Sequence, residues 1–552
     1  MVKKILFLFF LGVLSLPITA RQRTLSEMKN EAQSVLTASG ARAQTGGNAL
    51  QVIMQKEMLT VLGDGSQFAI IANDDAYRAI VGYADGTYTA NNSGLMWFID
   101  AVNEAMASEV AVGVVNRTSV APDASKFKIN VAPLLQTTWS QREPYNNLCP
   151  KTSSGSAYPS GCVATALSQI MKYHAYPTTG IGEKQYSFKP ADGVGELLYA
   201  NFGATTYEWD KMLDNYVSGS YSDEEANAVA TIMLHCGVSV EMNYTISGSG
   251  AYSSEACNGL VKFFGYNANI GIVYRDYYSL EQWMDMIYAE LNKQRPIYYS
   301  GSDSSRGGHA FVIDGYDATG LVHVNWGWGS DGGNGYFDIT LLNPSGYQFS
   351  VGQNMLLGLD LPTADIAYES HLVSDNAMTV NKIGVLLNVN VGQYIWNLNG
   401  DAWEGEVAVV LEGEGQTYEL SKGDVSKTAN LYNVLSNTSP SIGGMLKLPT
   451  GVADGNYRLF VGAKNSRDSR WQLVRRSNEQ VNSYLVTISN GTINSLTDET
   501  NDTWRDAATG ISSVKFDALD SLVGNYDLQG RKVNDTTRPG IYIHNGRKII
   551  KQ

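Results

Sequence analysis

The apolar pattern changes character at about Pro362, and that change constrains the fold more than any other feature of the chain. Before it, amphipathic helical patterns around Cys162 to His174, Glu224 to His235 and Leu280 to Asn292 precede apolar runs of strand type, "PIYYSG", "HAFVIDGY", "LVHVNWGW" and "GYFDIT". Helices that come before strands, instead of alternating with them, predict an α+β fold. After Pro362 come short alternating runs such as "EVAVVLEG", "YRLFVGAK" and "SYLVTIS", set apart by Gly, Asn and Ser turns, which is the pattern of a β-sandwich of about 130 residues. A chain of 552 residues exceeds one core at roughly 100 to 200 residues per domain.

The remaining boundaries follow from local composition. Residues 1–20 combine Lys3 and Lys4 with an apolar run, Pro17 and a small Ala20, the layout of a secretory signal peptide. Residues 21–125 read as a small α+β unit, with a helical start at Leu25, Met28, Ala32 and Leu36, strand-like "QFAIIAN" and "YRAIVGY", and a helical "SGLMWFIDAVNEAMA". The polar stretch from Asn116 to Asn130 is a linker candidate. The mixed segment then spans 126–361, the sandwich 362–497, and a short all-β tail 510–552. No run after residue 20 has the roughly 18 apolar residues of a membrane helix, so the expected product is soluble or surface-attached. A formal charge of −14 excludes nucleic acid as a partner class, since phosphate binding needs a basic surface. Four cysteines are too few for a disulfide scaffold, although a Cys236–Cys257 bridge stays open.

The chemistry concentrates in the mixed segment. In "YPSGCVATALSQIMKYH", Cys162 stands at the start of an amphipathic helix, where the positive end of the helix dipole favours thiolate over thiol. The alternative is a small buried hydrophobe. A thiolate nucleophile needs a base, and the chain has six histidines. His174 lies on the same helix roughly 18 Å away and cannot serve. His309 follows Gly307 and Gly308 and opens an apolar strand, so its ring projects at a strand end where the glycines let a peptide backbone approach. It follows Cys162 by about 150 residues, the cysteine-first order of papain-like peptidases.

Asn325 closes "LVHVN", and antiparallel pairing with the His309 strand would bring the two side chains to one end of the sheet, with Trp326 or Trp328 covering their hydrogen bond. The Cys162 N–H is one natural oxyanion donor. A second would be a side-chain amide, with Gln141, Gln136 and Asn146 all open on spacing alone. No His/Cys cluster has zinc spacing, and no cofactor or metal is expected.

The pieces "WSQREPYNN", "SGCVATALSQIMKYHAYP", "GVSVEMNY" with "SGSG", "GGHAFVIDGY" and "HVNWGWG" with "DGGNGYF" and "LNPS" together resemble the streptopain family of papain-like cysteine peptidases. They occur in family order over about 130 to 350. The resemblance implies Cys162 as nucleophile, His309 as base, Gln141 as oxyanion donor, and Asn325 with Trp326 as the elements orienting the histidine. It also makes Ser247, Gly248, Ser249 and Gly250 a wall of the substrate cleft, beside Gly307 and Gly308. Residues 21–125 resemble the family's propeptide, which inhibits by disturbing the histidine, with Asn91 or Asn92 in the matching loop. The tail "NYDLQGRKV... RPGIYIHNGRKIIKQ" is similar to the sorting domains of type nine secretion cargo.

The resulting expectation is a secreted cysteine endopeptidase made as a zymogen, at the surface of or outside a Gram-negative bacterium. Its partners would be protein substrates, its own propeptide and the secretion machinery. A surface adhesin with an incidental peptidase-like domain is the alternative, and an amidase or transferase of the same chemistry a third.

Overall fold

Strands buried on both faces read as unbroken apolar runs, and the main sheet is built from such runs. The structure, a computed structural model, describes residues 21–38, 49–112, 120–190, 195–303, 307–330, 332–342, 352–364, 366, 368–428, 441–468, 470–477, 480–500, 525–526, 532–533, 540–544 and 547–551. The leader expected at residues 1–20 lies outside them.

In chain order the first part holds α1 (Leu25–Ala38), β1 (Gln51–Gln55), β2 (Leu59–Gly63), β3 (Phe68–Ala72), β4 (Ile80–Ala84) and α2 (Ser93–Val112). Then come α3 (Cys162–His174), β5 (Glu183–Phe188), β6 (Glu196–Asn201), α4 (Asp223–Ser239), α5 (Ser253–Phe264) and β7 (Gly271–Tyr274). Last are α6 (Leu280–Asn292), β8 (Ile297–Asp303), β9 (Gly307–Tyr316), β10 (Val322–Asn325), β11 (Gly335–Phe337) and β12 (Asn354–Leu357).

Ten strands form one sheet in the order β1-β2-β3-β4-β11-β10-β9-β8-β12-β7. The N-terminal strands are therefore not a free-standing module: β4 joins β11 through Tyr83 opposite Tyr336 and Gly82 opposite Phe337. The two faces of the sheet are covered differently. Alternation along β9 sends Ala310 and Val312 toward α3, α4 and α5, where they join Leu167, Ile170, Met233 and Phe264. Phe311 and Ile313 point the other way, toward Phe98 of α2 and Trp283 and Ile287 of α6.

Local signals set the helix starts. α4 and α6 begin in capping boxes, Ser222 with Glu225 and Ser279 with Gln282, each satisfying two backbone donors. α3 has no side-chain cap; it starts from Gly161 at φ 93°. That backbone conformation needs glycine, and a Cβ there would also lie 2.8 Å from Met242.

Of the expected linker, residues from Val120 onward are laid on the body. Phe127 packs on Tyr288, Lys126 pairs with Asp285 at 2.9 Å, and Val131 bridges to Tyr316. The polar composition of this stretch reflects surface contacts, not a wholly exposed loop.

After Leu361 the chain becomes all-β. A three-stranded sheet (Thr379–Ile383, Leu386–Asn390, Gly444–Lys447) faces a larger one whose long strands are Trp403–Gly413, Gln416–Thr428, Gly455–Asn465, Ser483–Ser489 and Thr492–Glu499. Val380, Leu387, Val389 and Leu446 meet Val407, Val409, Leu459 and Val461 between them, so the alternating pattern seen in the sequence makes a β-sandwich core. Four short strands in the tail, Asn525–Tyr526, Lys532–Val533, Gly540–His544 and Arg547–Lys551, form a separate antiparallel sheet. All four cysteines are free thiols, so the Cys236–Cys257 bridge left open by the sequence is not formed. No helix among the described residues is long and apolar enough to cross a membrane.

Candidate active site

Cys162 is the first residue of α3, half-buried beneath β9. With no side-chain cap on this helix, its first N–H groups are free to serve the sulfur. Burial pushes the thiol above its ordinary value, and the nearby backbone N–H groups of Ala310, Val163 and Cys162 pull the other way by favouring the thiolate. Ala310 is the residue after His309, so the helix led by the thiol packs on the strand that carries the imidazole.

The His309 side chain points to the other face of the sheet. As an odd position of β9 it shares a face with Phe311, and the two rings lie 6.2 Å apart. Its Nε2 pairs with the Trp326 carbonyl at 2.9 Å, and burial lowers its pKa to about 4 despite that acceptor. The imidazole is therefore neutral here. Gly94 of α2 closes over it: a Cβ on Gly94 would lie 2.4 Å from both Cδ2 and Nε2 of the ring and 3.1 Å from Trp326. Asn92 starts that helix. Its Oδ1 accepts from the Leu95 N–H at 3.0 Å, and its Nδ2 donates to the Gly332 carbonyl in the loop after Trp326. Asn91, the other candidate of the loop, is exposed and bonded only locally, to Thr89.

β9 and β10 do pair antiparallel, yet the hydrogen bond expected between Asn325 and His309 is replaced by others. A register shift at His323/Val324 sets Asn325 opposite Val312, whose side chain faces α3, so Asn325 lies on the other face of the sheet from His309. Asn325 Nδ2 donates to Thr137 O at 2.8 Å and to Gln169 Oε1 at 3.1 Å, and its Oδ1 accepts from Gly327 N–H at 3.1 Å. Trp326, fully buried, meets His309 through its carbonyl, with the ring centroids 6.3 Å apart. Its expected part as the cover of an Asn325–His309 bond is thus filled differently.

Gln141 is buried, and its carbonyl accepts from the Ser160 N–H at 3.0 Å, which fixes it against the segment leading into Cys162. The Ser247–Gly250 loop packs on that same segment. Ser249 Oγ donates to Pro159 O at 2.7 Å, and a Cβ on Gly161 would meet Ser249 O at 3.0 Å. Ser247, Gly248 and Gly250 are exposed, with open space above the two glycines. Gly307 and Gly308 are exposed at the head of β9; Gly307 also faces open space, whereas Gly308 lies against Ser302.

Sequence reasoning missed Gln169, which holds Asn325, Thr137 and the Trp139 N–H from inside the body. A signal was present: Gln169 is a polar residue two turns after Cys162, on the buried side of its helix. It also missed Tyr298, a fully buried phenol beside Cys162 whose hydroxyl meets Ser253 at 3.2 Å, and Gly94. No pattern marks either in the sequence. Of the other histidines, His174 pairs with Tyr266 and His235 with Tyr207, both away from the thiol. Among the described residues no three His, Cys, Asp or Glu side chains converge as a metal site.

A cysteine-led helix packed against a sheet whose long strand is led by a histidine is the architecture of papain-like cysteine peptidases. The sequence model described as "Peptidase C10 family" matches residues 139–337. Streptopain of Streptococcus pyogenes is 32% identical over 374 residues, covering 62% of this chain and 92% of streptopain. The thiol protease/hemagglutinin PrtT of Porphyromonas gingivalis is 32% identical over 352 residues, and the match spans 58% of this chain but only 40% of PrtT. A solved fragment of Prevotella intermedia prointerpain A, with a cysteine replaced by alanine, superposes with a TM-score of 0.52 at 42% identity over 57% of this chain and 99% of that one. The chain belongs to the peptidase C10 family of cysteine peptidases.

Proposed function

We propose that the chain is a cysteine endopeptidase made as a zymogen, with Cys162 as nucleophile, His309 as its base, and residues 21–125 as the inhibitor. The observation that carries this reading is the His309 imidazole, held between the Trp326 carbonyl and Gly94 instead of beside the thiol. Departure of α2 frees the imidazole, and the glycine-led head of β9 must then turn for the ring to pass from the α2 face to the side of the thiol. Moving beside the thiol would take His309 out of its buried, proton-excluding site, so that thiol and imidazole can exchange a proton.

The reaction then proceeds in two halves. The Cys162 thiolate attacks the peptide carbonyl carbon, and the oxyanion is met by the Cys162 N–H and the Gln141 side-chain amide. The imidazolium of His309 gives its proton to the departing amine as the C–N bond breaks. Water next attacks the thioester while His309 takes its proton, and the C–S bond breaks to release the acid. Asn325 and Trp326 act as positioning residues: Asn325 fixes the turn after β10 through Gly327, and that turn sets the Trp326 carbonyl and ring. Ser247 to Gly250 and Gly307 with Gly308 would flank an extended substrate, their glycines leaving room for its backbone.

Secretion through the leader at 1–20 and export through the tail at 510–552 belong to the same proposal, supported by the sequence patterns. Covalent labelling by an epoxide inhibitor of cysteine peptidases tests the chemistry. Labelling of the processed protein at Cys162, lost in Cys162→Ala, is the expected result, and an unlabelled, inactive processed protein would favour the adhesin reading.

A further inference from the structure

The sheet edge opposite the N-terminal strands is β7, and the C-terminal sandwich covers it. The Ile272 N–H donates to Leu398 O at 3.0 Å, the Gly400 N–H donates to Ile270 O at 2.8 Å, and Gly271 and Asn399 bridge antiparallel between them. Residues 398–400 thus lie along β7 as an added strand. Around them a small sheet of Leu372–Ser374, Trp396–Asn397 and Arg475–Arg476 faces the peptidase body.

Side chains interlock across the same face. Val373 and Leu398 share one hydrophobic cluster with Cys257, Leu260 and Ile270. The buried His371 ring lies on Gly271, where a Cβ would stand 1.9 Å from its Cδ2. Gly400 allows a second, less tight approach, since a Cβ there would sit 3.1 Å from Cys257 Sγ. Arg475 stacks over the Tyr278 ring at 4.4 Å, and Asp375 accepts from both Tyr277 Oη at 2.9 Å and Trp396 Nε1 at 2.8 Å. The covalent connection between the two bodies is slight by comparison. Pro362 and Thr363 form an exposed turn, the kind of site where proteases reach backbone.

We propose that this face is a strand-addition docking site whose partner is the chain's own sandwich, and that the sandwich stays bound to the peptidase body after the chain is cut at the Pro362–Thr363 turn. Main-chain pairing supplies attraction that does not depend on the linker, and the glycine-shaped fit of His371 and Gly400 supplies selectivity for this partner. The C-terminal half then accompanies the enzyme as a non-covalent subunit. The proposal does not depend on the peptidase chemistry.

The test uses the full chain carrying Cys162→Ala to prevent self-digestion and a site-specific protease sequence inserted between Pro362 and Thr363. After complete cutting, the two pieces should co-elute at micromolar concentration as a particle of the uncut size and separate only in denaturant. Separation under native conditions overturns the proposal. Gly271→Val and Gly400→Val, each introduced into the cuttable chain, should weaken the association about tenfold or more, because the added methyl groups have no space. Retention of the wild-type affinity by both would show that the strand joint is not what holds the pieces, and would overturn it as well. Should the valine variants fail to fold uncut, Arg475→Ala decides: a several-fold weakening supports the joint, and no change overturns it.

Discussion

At the scale of single residues, the site depends on which side chains occupy the space beside His309. Gly94→Ala places a methyl group where the imidazole ring now lies, so it should loosen the arrangement proposed to be latent. The uncut precursor of this variant should show peptidase activity well above the uncut wild type, and should be labelled at Cys162 by the epoxide inhibitor. Activity as low as the wild-type precursor would mean that Gly94 does not hold the ring. Cys162→Ala should abolish hydrolysis with the fold intact, as circular dichroism and activity would show together. Asn325→Ala removes bonds to Thr137, Gln169 and Gly327 and leaves buried groups unpaired, which costs about 1–3 kcal/mol. It should lower the denaturation midpoint and reduce kcat without eliminating it. Complete loss of activity with unchanged stability would assign Asn325 a direct part in the chemistry.

At the scale of elements, the proposed latency would rest on the pairing of β4 with β11. Gly335 lies where a Cβ would be 2.2 Å from the Tyr83 carbonyl and 2.6 Å from the Ala84 Cβ. Gly335→Ala should therefore pry β4 from β11. Processed enzyme carrying it should keep its kcat/KM, while residues 21–125 supplied separately should inhibit it at least about tenfold less well. Equal inhibition of both enzymes would place the inhibitory contact in α2 alone. The elements themselves were largely legible in the sequence. α3, α4 and α6 announce themselves by apolar spacing, and β8, β9 and β10 by apolar runs, because local periodicity reports which face is buried. The join of β4 to β11 was not legible. It rests on two residue pairs some 250 positions apart, and backbone pairing leaves no mark on side-chain composition.

At the scale of the whole molecule, one feature links the separate bodies. Burial holds His174, His235, His309 and His371 near pKa 4 in the folded chain. Each returns to about 6.5 when unfolded, so between those values the unfolded state binds more protons. Their contribution to stability is whole above about pH 6.5 and falls as the pH drops toward 4, by up to about 1.4 kcal/mol per pH unit for each ring. Denaturant midpoints of the Cys162→Ala chain should fall steeply from pH 6.5 to 4.5. A flat profile over that range would show that these rings are not held neutral by the fold.

The sequence by itself determined the class of fold, the break near Pro362, and the residue types of the site. Cys162 is marked by a glycine-started helix, and His309 by the glycines and apolar strand that flank it; both are local patterns. Only the tertiary structure decided how those residues meet. His309 faces α2 because of its parity along β9, Asn325 misses it because it stands opposite Val312 on the α3 face, and Gly94 reaches it because β1–β4 share the main sheet. Each of these depends on packing between segments far apart in the chain, where geometry is set by what the neighbouring element leaves open, and no single segment carries that information alone.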